Sequence, residues 1–246
     1  MKRQFLRAVA VIIIKNIRIY YNKAPVLIFG LLFPFFIFLS FYMGKKLNLS
    51  SFFPGLLAMT LFFTSSSVGP LITPWEKQSG TYERLLCFPV NIVTIIMGDV
   101  IAGMIFGIII SAALLLFGLI FFTYNVHAIT LSVAIVLSAF CFSSLGVLIA
   151  SYPGQAPSNV MMISAVIRFP LIFISGIFIP LQSLKGMGRY VAFVSPITYL
   201  VDILNHSLVN EHSILPVISF TLIAIFSLIF IFLAFLSHRR TSIKFF

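Results

Sequence analysis

Six apolar stretches, roughly residues 24–43, 52–73, 99–122, 128–150, 159–180 and 214–236, recur along this chain of 246 residues and constrain its fold more than any other feature. Each is about 20 residues long, the length at which an α-helix crosses a hydrocarbon core of about 30 Å. Their interiors run on in Ile, Leu, Phe and Val without period-two alternation, which favours helices over an outer-membrane barrel. With 61% hydrophobic and 9% charged residues, the chain is predicted to be an all-α membrane protein with six transmembrane helices.

The net charge of +11 would point to nucleic acid in a soluble protein, but in a chain of membrane spans it reads as cations retained on one side. With both ends cytoplasmic, the inner face holds Lys2, Arg3, Arg7, Lys15, Arg18, Lys23, Lys77, Arg84, Arg239, Arg240 and Lys244, and the outer face holds Lys45, Lys46, Lys185 and Arg189. That bias matches an even number of spans in the cytoplasmic membrane, and nucleic acid is not expected as a partner. Cys87 and Cys141 are too few and too scattered for a disulfide framework or a zinc site, and both read as packing residues. The basic start of the chain is followed by an apolar run that Lys15 cuts, with no small-residue cleavage site, so the amino-terminus is expected to stay on the protein.

At helical spacing Arg3, Gln4, Arg7, Lys15, Arg18 and Asn22 fall within one third of the circumference of the first segment, while Phe5, Val9, Ile12, Ile13 and Ile17 lie elsewhere and Lys2 and Asn16 fall off the stripe. Residues 1–23 therefore read as an amphipathic helix in the membrane interface, either a plain anchor or a docking element. The chain divides, as one domain over 1–246, into this helix, spans one to five over 24–180, an outer re-entrant loop over 181–213 and span six over 214–236. Within the outer loop Ser195-Pro196 reads as a cap with proline at the first helical position, so two short helices are expected there.

Between the second and third spans lies the densest polar segment, residues 73–89, with the only tryptophan and two of the five acids. Thr73-Pro74-Trp75-Glu76 has the form of a helix start, a threonine cap, a proline and a glutamate three residues on. Gly80 interrupts it, Thr81 can cap a new turn, and Pro89 opens the next element. The expected product is a short, bent, charged elbow at the cytoplasmic surface, against the alternative of a solvated loop.

The pattern Glu76-x-x-x-Gly80-Thr81-x-Glu83-x-Leu85-Leu86-x-x-Pro89 resembles the signature of the ABC-2 type transporter permeases, particularly the branch that exports drugs and nodulation factors. A second stretch, Ser175-Gly176-x-x-x-Pro180 followed by Ser195-Pro196-Ile197-Thr198-Tyr199-x-Val201-Asp202, is similar to the family's pattern near the last outer loop, with Ser195 where asparagine is common. The resemblance implies a non-catalytic membrane subunit working beside a second copy of itself or a homologous permease. It also implies a separate ATPase subunit that binds ATP and Mg, so that no cofactor is held by this chain. By the same resemblance the elbow is the coupling helix that sits in a cleft of the ATPase, with Glu76, Gly80, Thr81, Glu83 and Arg84 as coupling residues. The interface helix, through Arg3, Arg7, Lys15 and Arg18, is implied to touch the same partner. The implied cargo is an amphipathic drug, a lipid or a lipid-linked glycan, with a polysaccharide exporter as the nearest alternative.

The residues are consistent with an outside energy source, because the chain has no G-x-x-x-x-G-K-[ST] and no LSGGQ-like stretch. An ion-coupled transporter or channel would need several buried polar groups near the midplane, and an intramembrane enzyme would need paired acids or a His and Glu constellation inside the spans. Only Arg168 is deeply placed, where it either faces the cavity between two copies and attracts an anionic or polar headgroup, or pairs inside the bundle. Asp99 reads as an interfacial cap or a partner for a nearby cation rather than a proton carrier. Phe33, Phe35, Phe36 and Phe38 either line an apolar route for cargo or face lipid and neighbouring helices. Gly103, Gly107, Ser111 and Ala112 mark a close-packing face of the third span. His206 and His212 lack the spacing of a metal site, and the sequons Asn48-Leu49-Ser50 and Asn205-His206-Ser207 fall on the outer face.

Overall fold

A computed structural model describes residues 2–20, 28, 32–44, 49–87, 91–122, 124, 126–152, 156–178, 181, 186–209 and 214–243. Among them the secondary structure is helical, with no strand: α1 Lys2–Tyr20, α2 Phe33–Gly44, α3 Leu49–Gln78, α4 Thr81–Cys87, α5 Ile92–Phe121, α6 Ala128–Ala150, α7 Pro157–Phe173, α8 Met187–Ala192, α9 Pro196–Val209 and α10 Pro216–Ile243.

Among the described residues four segments are long and apolar enough to cross a membrane: Phe52–Gln78, Ile92–Phe121, Ala128–Ala150 and Pro216–Arg239. The fifth expected span is shorter than its apolar run. α7 stops at Phe173, where Ser175 donates its hydroxyl to the Ile172 carbonyl and Gly176 takes a φ of 78°, a conformation that side chains with a Cβ avoid. Most of the first expected span before α2 lies outside the described residues.

α3 is the axis of the bundle. It packs against α2, α5, α6, α7 and α9, and its most apolar window is wholly buried, whereas the windows of α5 and α10 are only 22% buried. A helix surrounded by protein gains more from close backbone approach than from bulk, so α3 carries Thr64, Ser65, Ser66, Ser67 and Gly69 in its middle. A Cβ added at Gly69 would stand 2.7 Å from the Gly146 backbone, and one at Gly146 would stand 2.5 Å from the Ser66 carbonyl oxygen. Any side chain at either position would force α3 and α6 apart. Three of the hydroxyls are satisfied along the helix itself, Thr64 donating to the Thr60 carbonyl at 2.7 Å and Ser66 and Ser67 to the Phe62 and Phe63 carbonyls at 2.5 Å, while that of Ser65 is buried without a partner. The close-packing face read on the third span is present, with Gly103, Gly107 and Ser111 buried and Ser143 of α6 donating to the Val100 carbonyl at 2.7 Å.

Apolar side chains fill the rest of this core. Phe62 meets Phe142 edge-on at 5.0 Å, and Phe33 of α2 meets Phe63 and Phe169 at 4.9 and 5.3 Å. The two short helices expected before the last span are present as α8 and α9, and Pro196 is the first residue of α9 as its fixed φ favours. The expected cap at Ser195 is used differently, because its hydroxyl donates across to the Leu171 carbonyl of α7 at 2.9 Å. α9 is a core element, with Ile197, Leu200, Ile203 and Leu204 fully buried and contacts to α3, α6 and α10. The sequon residue Asn205 lies inside this helix, and His206 stacks on His127 at 5.9 Å.

Candidate functional site

The expected helix start at Thr73 is a correction. α3 runs without interruption through Pro70 and Pro74 to Gln78. Proline at 74 removes one backbone donor and leaves the Pro70 carbonyl without its helical partner, a local penalty that packing on both sides outweighs. Instead of capping a new helix, Glu76 lies in the last turn of α3, 2% exposed, and forms an ion pair with Lys15 of α1. Its neighbour Trp75 is 48% exposed, a placement that suits an indole at a membrane–water border.

The chain then turns at Gly80, whose φ of 67° lies in the left-handed region and whose surroundings are open, with nothing within 4 Å of where a Cβ would stand. Ser79 and Thr81 both donate their hydroxyls to the Glu76 carbonyl at 3.2 Å, so Thr81 closes the end of α3 rather than capping α4. α4 begins at Thr81 and presents Thr81, Glu83, Arg84 and Cys87 outward. Cys87 is exposed, so the reading of both cysteines as packing residues holds only for buried Cys141. α4's inward side chain is Tyr82, 5% exposed, which inserts between Ile12 of α1 and Ile95 of α5 with Leu85 against it. Lys77 lies 5.7 Å from the centre of its ring. Burial, with the Asp99 and Glu76 carboxylates adding to it, raises the Tyr82 phenol well above its usual range.

α5 begins at Ile92 under an Asn91 cap, whose side chain accepts from the Val93 backbone at 3.3 Å, so the third span starts earlier than its apolar run and the expected opening at Pro89 lies outside the described residues. Asp99 is therefore two turns inside α5 and buried, not at an interfacial end. It accepts a hydrogen bond from the Asn16 amide at 2.7 Å. Three segments meet here: α1 through Lys15 and Asn16, the end of α3 through Glu76, and α5 through Asp99, with Tyr82 of α4 wedged among them.

On α1, Val9, Ile12 and Asn16 form the packed face, and a Cβ added at Gly98 of α5 would stand 2.5 Å from Ile12 Cγ2. Arg7 and Arg18, three turns apart, are exposed on the side away from α5, while Lys15 leaves the stripe to reach Glu76. The side chain of Arg3 and all of Asn22 lie outside the described residues. Asn16, Tyr82 and Asp99 were missed as a group. A lone amide on the apolar arc of an amphipathic helix needs a buried partner, and that was the available signal.

The remaining expected site residues lie apart from the elbow. Arg168 of α7 is 5% exposed and donates through Nη1 to the Ser67 hydroxyl at 3.1 Å and through Nη2 to the Ser66 carbonyl, both on α3. Phe35 and Phe36 are 51% and 59% exposed and touch each other, not Arg168. Among the described residues no group of three or more His, Cys, Asp or Glu side chains is placed to hold a metal ion.

The structure thus joins a buried four-segment junction, carrying a short charged helix, to a bundle of long apolar helices. The chain belongs to the ABC-2 type transporter family, whose pattern matches residues 3–209. It is a multi-pass membrane protein and a transporter permease subunit, in a family that implies an ABC ATPase partner. The inner membrane transport permease YadH of Escherichia coli K12 is 22% identical to it over 178 residues, 72% of this chain and 69% of that protein. The YadH permeases of Escherichia coli O157:H7 and Shigella flexneri match to the same extent.

Proposed function

We propose that this permease subunit belongs to an ATP-driven exporter of an amphipathic drug, lipid or lipid-linked glycan, energised by a separate ATPase that docks on the α3–α4 elbow. In this reading the chain crosses the membrane six times, with α2 and the residues before it as the first crossing and α7 as the fifth. Both termini and the elbow are cytoplasmic, and the permease works beside a second copy of itself or a homologue. The exposed face of α4, with Thr81, Glu83 and Arg84 beyond the Gly80 turn, is the docking surface, and the exposed Arg7 and Arg18 of α1 touch the same partner.

The observation that carries this reading is the tie beneath α4. Tyr82 is buried between α1 and α5 while Lys15 pairs with Glu76 and Asn16 bonds Asp99, so a push on α4 moves α1, α3 and α5 as one body. A surface loop without such ties would absorb the push locally. Glu76, facing inward, acts by holding the elbow in place and not by touching the partner.

The test is purification of the tagged permease from its native membrane. An ABC ATPase is expected to co-purify with the wild type. Gly80→Pro, which cannot adopt a φ of 67°, is expected to lose most of that ATPase while still inserting in the membrane. Recovery of no ATPase with the wild type, or of equal amounts with Gly80→Pro, would overturn the assignment.

A further inference from the structure

The far end of α10 is fixed in rotation against α6. Ala234 and His238 are buried, with Nε2 of His238 3.3 Å from the Val147 carbonyl oxygen, and Ser237 shares a hydrogen bond with Ser151 at 2.8 Å. α5 packs on the same helix, so α5 and α10 stand side by side on α6. Between them lies an apolar groove of about 680 Å³, lined by Val93, Ile96 and Met97 of α5 and by Leu228, Phe232 and Phe235 of α10. Ile96 packs in one cluster with Val147 of α6 and the half-buried Phe235, while Leu228 and Phe232 are 66% and 61% exposed at the open side.

A cation stands at one end of this groove. Leu228, Phe232, Phe235 and Arg239 recur at helical spacing within about 60° of one another around α10, so the arginine continues the lining arc. It is exposed one turn beyond Phe235, and because side chains on a helix lean toward the preceding turn, it starts back over the groove's mouth. α10 carries no acidic residue, and Asp99 of α5 is turned to Asn16 of α1, so neither wall brings a negative charge that would repel an anion. Arg240 and Lys244 follow in the sequence and add positive charge at the same end of the chain.

The groove lies inside the apolar segment Pro216–Arg239, and the arginine closes that segment. Hydrocarbon depth and then a cation at the border is the order in which a lipid presents its acyl chain and its phosphate. We infer that this groove seats an anionic phospholipid of the leaflet at the C-terminal end of α10, with one acyl chain between α5 and α10 and the phosphate at Arg239. A protein segment seated there would have to carry its own acid to the membrane border, whereas the phospholipid brings its charge with it. The site goes beyond the exporter reading, since it needs neither cargo nor ATPase.

The test uses the purified full-length permease in phosphatidylcholine liposomes containing a trace of phosphatidylglycerol or phosphatidylcholine, each with the same diazirine in the same acyl tail. Labelled peptides are mapped by mass spectrometry after illumination, with Leu116 and Ile120, exposed on α5, as the lipid-facing reference. Relative to that reference, labelling of residues 93–97 and 228–235 is expected to favour phosphatidylglycerol about fivefold, the scale of one basic side chain at an anionic lipid surface. Arg239→Gln is expected to bring the ratio to one, and Arg239→Lys to keep most of it. Leu228→Trp, which adds bulk at an exposed position, is expected to fill the groove and lower labelling of residues 93–97 by either lipid while the reference is unchanged. Met97→Trp, from the opposite wall, is expected to lower labelling of residues 228–235 in the same way. Equal labelling by the two lipids in the wild type, or a preference that survives Arg239→Gln, would overturn the anionic headgroup and with it the site. Walls labelled as before in both tryptophan variants would overturn the groove as the seat of the chain. Walls labelled by neither lipid would mean that another protein chain covers them, which also overturns the inference.

Discussion

α3 is bound to its neighbours at two buried charges, and the two are built in opposite ways. At its end Glu76 meets Lys15, a carboxylate and an ammonium that cancel. Roughly 14 Å back along the helix axis, the Ser66 carbonyl and Ser67 hydroxyl hold the Arg168 guanidinium, which is oriented but not neutralised. A compensated pair behaves as a weld, because breaking it strands a charge in a dry environment, whereas removing an uncompensated charge strands none. The first suits a junction that transmits motion, and the second holds a cation by neutral groups of one neighbouring helix.

Single substitutions separate these roles. Glu76→Ala leaves Lys15 without its partner at the junction, and the expected loss is about 2 kcal/mol, discounted from a fully buried pair because the lysine is 23% exposed. Thermal unfolding in detergent followed by circular dichroism measures it, and the reversed pair Lys15→Glu with Glu76→Lys should recover at least part of the loss. An unchanged midpoint in Glu76→Ala would show that the pair is not a weld. Arg168→Gln is expected to change stability by less than about 1 kcal/mol, since removal of an unpaired buried charge offsets the loss of its two hydrogen bonds to neutral groups. A loss as large as that of Glu76→Ala would make Arg168 a structural tie, and the contrast between the two centres would disappear.

How far the sequence foretold this arrangement differed by region. Long apolar runs announced α3, α5, α6 and α10, because a membrane span is legible in composition alone. The cationic line Arg7 and Arg18 and the turn at Gly80 followed from periodicity and from glycine's freedom at positive φ. Pro74 misled because a local helix-start signal lost to packing from helices distant in sequence. Asn16 and Asp99 are separated by 83 residues, and Arg168 and Ser67 by 101, so neither bond leaves a mark in any local window. The end of α7 was equally hidden, since the apolar run continues after Phe173 while the backbone turns at Gly176.

Cys87, exposed at the end of α4 while Cys141 is buried, provides a native handle on the proposed docking surface. A short thiol-directed photo-cross-linker placed on Cys87 in native membranes is the most direct test of the elbow as the ATPase-docking element. The account predicts a cross-linked product containing an ABC ATPase, formed in the wild type and lost in Gly80→Pro. Cross-linking to lipid or water alone, with Cys87 equally reactive to a membrane-impermeant thiol reagent whether or not the ATPase is present, would contradict it.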